Sequence, residues 1–94
     1  MEKNISNFEK KALRKKAHLL KPVVMIGYQG LTVGVITEVD IALNAHELIK
    51  VRIRGVDKNK RDEYNFTMEN KLNAQVVHQI GGITVLYRLK AVPS

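Results

Sequence analysis

The tetrapeptide Gly27-Tyr28-Gln29-Gly30 joins an apolar run, Val23-Val24-Met25-Ile26, to an amphipathic segment that starts at Thr32. Glycines at such a junction let backbone approach a bulky ligand closely. A helix start offers unpaired N–H groups and the positive end of the helix dipole. This chemistry favours an anion, and phosphate is the usual one. The N–H of Gly30 or Leu31 and the Thr32 hydroxyl are candidate donors, and Gln29 is a neutral polar arm. Tyr28 either stacks on an unpaired base, or lies on the protein surface or folded back on the core. The plain alternative is a tight turn without a ligand. On the ligand reading, Gly30→Asp leaves the chain folded and puts a negative charge where phosphate sits.

Other reactive residue types are poorly placed for catalysis. His18, His46 and His78 lie far apart and in no metal-ligand spacing. HExxH, CxxC, GxSxG and Walker patterns are absent. Asp57, Asp62 and Glu63 read as solvated charges or helix N-terminal residues rather than a catalytic pair. With no cysteine, neither a disulfide framework nor a thiolate metal site can form. The expectation is a non-enzyme without cofactor or metal.

The charge balance names the kind of anion. Sixteen Lys and Arg stand against 9 Asp and Glu, for a net charge of +7 and a pI of about 9.9. Such a balance points to a polyanion: nucleic acid first, an anionic membrane surface second. An incidentally positive surface is the plain alternative. Lys10, Lys11, Arg14, His18 and Lys21 share one helical face, opposite Phe8, Ala12, Leu13, Ala17, Leu19 and Leu20. Lys16 falls inside that apolar arc. Lys50, Arg52 and Arg54 form one row of an alternating strand, and Arg88 is a further candidate phosphate contact. Phosphate contacts of this kind position a protein without reading sequence.

The elements that position these residues follow from pattern. Ser6-Asn7-Phe8-Glu9 reads as a capping box for a helix running to about Leu20, where Pro22 ends it. Val23–Ile26 reads as a buried strand. Thr32 caps a second helix with Val35, Ile36, Val39, Ala42 and Leu43 inward, ending near Ala45 or His46. Leu48–Arg54 is a half-buried strand, and Gly55–Lys60 a polar connection. Arg61–Asn73 is a third helix with Tyr64, Met68 and Leu72 on one stripe. Gln75–Ile80 and Ile83–Leu89 flank the hairpin signal Gly81-Gly82. Ala91–Ser94 reads as a frayed tail. The order α-β-α-β-α-β-β, in one domain of 94 residues, implies an α/β (α+β) fold with a four-stranded mixed sheet covered by helices. Met1–Asn7 has no apolar h-region, and no apolar run approaches the ~18 residues that span a bilayer. A cytoplasmic, soluble protein without a membrane partner is expected.

Several of these segments together carry a family pattern. Leu13-Arg14, then Ala17-His18-x-Leu20-Lys21-Pro22, then Ile26-Gly27-x-x-Gly30-Leu31-Thr32 resemble the YhbY-type, single-domain members of the CRM-domain family. The match continues through Glu47-Leu48-Ile49-Lys50-Val51-Arg52, Val77-x-x-Ile80-Gly81 and Val85-Leu86-Tyr87-Arg88, nearly the whole chain. The resemblance implies a fold similar to the C-terminal domain of the third bacterial translation initiation factor. It also implies RNA binding, association with ribosomal RNA in precursors of the large ribosomal subunit, and a GxxG loop that clamps the RNA backbone. A monomer in isolation is expected. Family members often carry Lys or Arg between the two glycines, where this chain has Tyr28 and Gln29. The charge then falls to Lys10, Arg14, His18, Lys21, Lys50, Arg52, Arg54 and Arg88. A basic adaptor docking on an acidic protein is the alternative, and an enzyme holding a phosphorylated substrate a remoter one.

Overall fold

The computed structural model describes residues 5–89. The elements run α1 (Asn7–Ala17), β1 (Pro22–Ile26), α2 (Val33–His46), β2 (Leu48–Ile53), α3 (Lys58–Leu72), β3 (Gln75–Ile80) and β4 (Ile83–Tyr87). The strands form one sheet in the order β1-β2-β4-β3. β1 and β2 are parallel, and the β2–β4 and β3–β4 pairs are antiparallel. The expected mixed four-stranded sheet with three helices is therefore present. The tail expected at Ala91–Ser94 lies outside the described residues.

Each helix begins where its cap dictates. Ser6 Oγ accepts from the Glu9 N–H at 3.1 Å, and Glu9 Oε1 accepts from the Ser6 N–H at 3.0 Å. Thr32 Oγ1 accepts from Val35 N–H at 3.2 Å. Asp57 Oδ1 accepts from Lys60 N–H at 2.9 Å, so α3 starts at Lys58, three residues before the expected Arg61. Asp57 is thus a helix cap. Asp62 and Glu63 pair with Lys58 and Lys60 on the exposed surface of α3. The first helix is shorter than its pattern implies. Beyond Ala17 the bonds tighten to three-residue spacing, Leu19 N–H to Lys16 O and Leu20 N–H to Ala17 O. Leu19, expected on the buried face, leaves it and is exposed; Phe8, in the first turn, is exposed as well, and only Leu13, Ala17 and Leu20 pack inward from that set.

The sheet has two unlike faces. One buries Val24, Ile26, Ile49, Val51, Ile53 and Leu86 against Val39 and Leu43 of α2 and Met68 and Leu72 of α3. On that side Thr84 Oγ1 lies 2.9 Å from Asn65 Oδ1 and 2.8 Å from Gln79 Oε1, and Asn65 also donates to Gln79. This pins the β3–β4 hairpin beneath α3. Among the described residues the other face carries only α1, with Ala17 packed on Leu48, Val77 and Val85. β1 is an edge strand, so its four apolar residues are not all buried. Val24 and Ile26 enter the core, while Val23 and Met25 face out on the α1 side. The hairpin closes tightly onto β2, for Ile53 N–H donates to Gly82 O at 2.6 Å, and a Cβ at Gly82 would stand 2.7 Å from the Ile53 carbonyl oxygen.

Candidate nucleic-acid interface

The glycine loop is a closed turn in which the two glycines do different work. Gly30 N–H donates to Gly27 O at 3.0 Å. That donor is therefore spent inside the turn and is not offered to a ligand, contrary to the expectation from sequence. Among the described residues, Leu31, Val33 and Gly34 N–H have no backbone acceptor, so the open donors sit at the start of α2. Leu31 packs its side chain on the core and anchors the loop. Thr32 is engaged as the cap acceptor. Gly30 has φ +76°, and a Cβ there would lie 2.8 Å from the Tyr64 hydroxyl of α3. Gly30→Asp would thus strain the fold rather than test ligand contact alone. Gly27 has neither constraint, with nothing within 4 Å of an added Cβ. Tyr28 projects fully into solvent, and Gln29 is exposed beside it. Tyr28 is free to stack and is not folded back on the core.

The second feature is a groove of about 120 Å³ between α1 and the sheet, lined by Arg14, Ala17, His18, Lys50, His78, Ile80, Ile83 and Val85. Arg14 and His18 stand one turn apart on α1, and Lys10 continues their stripe by another turn. Lys50 and His78 meet them from β2 and β3 because both pair with Val85 of β4. The helical and strand patches therefore form one surface. Arg52 is the next residue outward on the same side of β2. Arg54 is exposed and is held beside the loop by its N–H to Ile26 O at 3.0 Å. Burial pushes the His78 pKa below its usual range, and the neighbouring Arg14 and His18 add to the shift.

No sequence pattern marks His78 as part of this surface. Its placement depends on the irregular register between Val76 and His78, which turns His78 to the same side as Lys50. The only local signal is the two-residue hairpin, which fixes Ile80 opposite Ile83 and so sets the alternation back to His78.

Two sequence candidates lie elsewhere. Lys21 lines a different cavity of about 500 Å³ on the other flank of α1, with Leu13, Leu20, Val23, Leu48 and Tyr87. The α1 helix ends before Lys21, so it leaves the Arg14–His18 stripe. Arg88 faces the α2–α3 side. Its guanidinium binds Asp40 Oδ1 at 2.8 Å, Leu72 O at 2.9 Å, Asp40 O at 3.2 Å and Asn44 Oδ1 at 3.0 Å. Its donors hold α2, α3 and β4 together, and it does not join the groove. Among the described residues, no three His, Asp or Glu side chains are grouped so as to hold a metal ion. No described helix is long and apolar enough to cross a membrane.

Known proteins resemble this chain over most of its length. An RNA-binding protein of Haemophilus influenzae is 44% identical over 84 residues, covering 89% of this chain and 85% of that protein. A protein of Pseudomonas aeruginosa, named as a probable RNA-binding protein, is 34% identical over 86 residues, covering 92% and 83%. The solution structure of a hypothetical protein from Staphylococcus aureus superposes with a TM-score of 0.82 at 27% identity, covering 97% of this chain and 95% of that one. The model of the CRS1/YhbY (CRM) domain matches residues 5–88, and the chain belongs to that family.

Proposed function

We infer that this protein is a non-catalytic RNA-binding module whose target is ribosomal RNA in precursors of the large ribosomal subunit. The observation that carries the RNA reading is the groove that unites Arg14, His18, Lys50 and His78 on one face, between helix and sheet. None of the four strands contains an acidic residue. Phosphates lie along this track, and the glycine loop with the start of α2 takes a backbone phosphate at one end of it. The names of the relatives support RNA as the ligand. The ribosomal target rests on the family resemblance.

Salt titration of RNA binding tests the first part. Counterion release makes affinity fall with a log–log slope of about −0.7 per phosphate contacted on a single strand. Arg14→Ala should weaken binding across RNA sequences and flatten that slope by about 0.7, one contact's worth. Binding that is absent at low salt, or indifferent to salt, favours a basic adaptor for an acidic protein. Crosslinking in cells followed by sequencing of the bound RNA tests the second part, and reads outside ribosomal RNA would refute it.

A further inference from the structure

The pairing register sets a row of side chains across all four strands on the face that α1 only partly covers. Met25 of β1 pairs with Arg52 of β2, Arg52 with Ile83 of β4, and Ile83 with Ile80 of β3. Directly opposed residues point to the same side of a sheet. Met25 is 53% and Ile80 60% exposed, Arg52 is exposed and Ile83 half-buried. α1 packs over the adjacent row, Lys50–Val85–His78; Ile83 and Ile80 line the open groove beside it, and Arg52 and Met25 lie beyond the groove. A core strand face would be covered, and a solvated one would be polar. This one is an apolar strip with a guanidinium at its centre.

Its surroundings say what covers it. Lys50 and His78 border the strip along the groove, with Arg14 and His18 above them on α1. At the edge, Met25 leads through Ile26 into the loop that projects Tyr28. With no acid on any strand, the strip is an apolar platform inside a cationic frame. That combination fits a strand whose phosphates run along the frame while its base faces lie on the platform. Bases stack on guanidinium planes, apolar side chains pack against the faces of unpaired bases, and a cationic groove tracks the backbone. An intact duplex presents its phosphates but keeps its base faces inside the stack, so it cannot use the strip.

We propose that the open Met25–Arg52–Ile83–Ile80 row is a base platform, and that the protein's preferred ligand is RNA with unpaired nucleotides rather than continuous duplex. This rests on the RNA reading above and adds where the bases go. The platform is tested by measuring fluorescence anisotropy on two labelled RNAs, an unstructured strand and a blunt duplex of equal length. Three proteins are compared: the natural chain, Arg52→Lys, and the double variant Met25→Ala/Ile80→Ala. Arg52→Lys keeps the charge but removes the plane. Truncating two side chains that are more than half exposed leaves folding intact, checked by thermal melting.

The natural chain should bind the unstructured strand more tightly. Each variant should lose about fivefold or more on that strand, the low end for a lost base-stacking contact, and keep its duplex affinity. Equal affinity of the natural chain for both RNAs, equal losses on both, or no loss on either overturns the platform and leaves RNA binding standing. Failure of the natural chain to bind either RNA at low salt overturns the RNA reading itself.

Discussion

Gly30→Ala offers the sharpest check on how the loop is built. The native φ of +76° lies in the left-handed region, which costs an L-residue about 1–2 kcal/mol. The new Cβ would also stand 2.8 Å from the Tyr64 hydroxyl, while the next ring atom, Cζ, lies at an ordinary 3.6 Å. Overpacking of this sort adds about 1–3 kcal/mol. Together these make roughly 2–5 kcal/mol, a large part of the ~5–15 kcal/mol that holds a domain together. The steric part belongs to one oxygen atom, so Tyr64→Phe should relieve it and leave the backbone part. Urea denaturation of the four proteins in this cycle is the assay. With a slope of about 1 kcal/mol/M, Gly30→Ala should lower the midpoint by roughly 2 M or more. In the Tyr64→Phe background the loss should shrink to about 1–2 kcal/mol. An equal loss in both backgrounds would refute the contact with Tyr64. No loss in either would refute the backbone argument as well.

Gly27 should behave in the opposite way. Its Cβ would meet open space, so Gly27→Asp should leave the urea midpoint nearly unchanged and weaken RNA binding, and normal binding would remove the loop from the interface. The folded state holds the His78 pKa below its usual range, so the unfolded chain binds the proton more readily and His78 favours folding at neutral and higher pH. That contribution fades as pH falls through about 6.5, the usual histidine value, toward the lowered one. A bound phosphate acts the other way, because it stabilises the charged ring. RNA affinity should therefore rise as pH falls from about 8 to 6 at constant salt, and His78→Gln should flatten the rise. Arg88→Ala should cost about 2–3 kcal/mol in denaturation, since it leaves Asp40 and Leu72 O without their partner. Its RNA affinity, measured where the variant is folded, should match that of the natural chain.

Local rules carried much of this fold into the sequence. Ser6 with Glu9 and Thr32 mark helix starts because capping needs only residues three apart. The alternation of Ile49, Val51 and Ile53 with Lys50 and Arg52 marks a two-sided strand for the same reason. The start of the third helix is less legible, because its Asp57 cap sits in a charged stretch and its buried Asn65 has no apolar signature. The buried state of Asn65 depends on Thr84 and Gln79, which lie far along the chain.

Element order, the mixed sheet, the basic character and the loop that joins β1 to α2 are all legible along the chain. Tertiary structure decided which cations work together. Arg88 reads as one more surface cation, yet side-chain alternation after Tyr87 turns it toward Asp40 and Asn44 of α2. Lys21 extends the basic helical face only if the helix reaches it, and α1 ends at Ala17. The two glycines look equivalent in the chain and differ because Tyr64 of α3 lies against one of them. His78 and Lys50 come together because each pairs with Val85, a relation set by the β2-β4-β3 strand order. Capping and alternation act over a few residues and can be read along the chain. Strand order, register and close approach join residues that are distant in sequence, and only the folded chain brings them into contact.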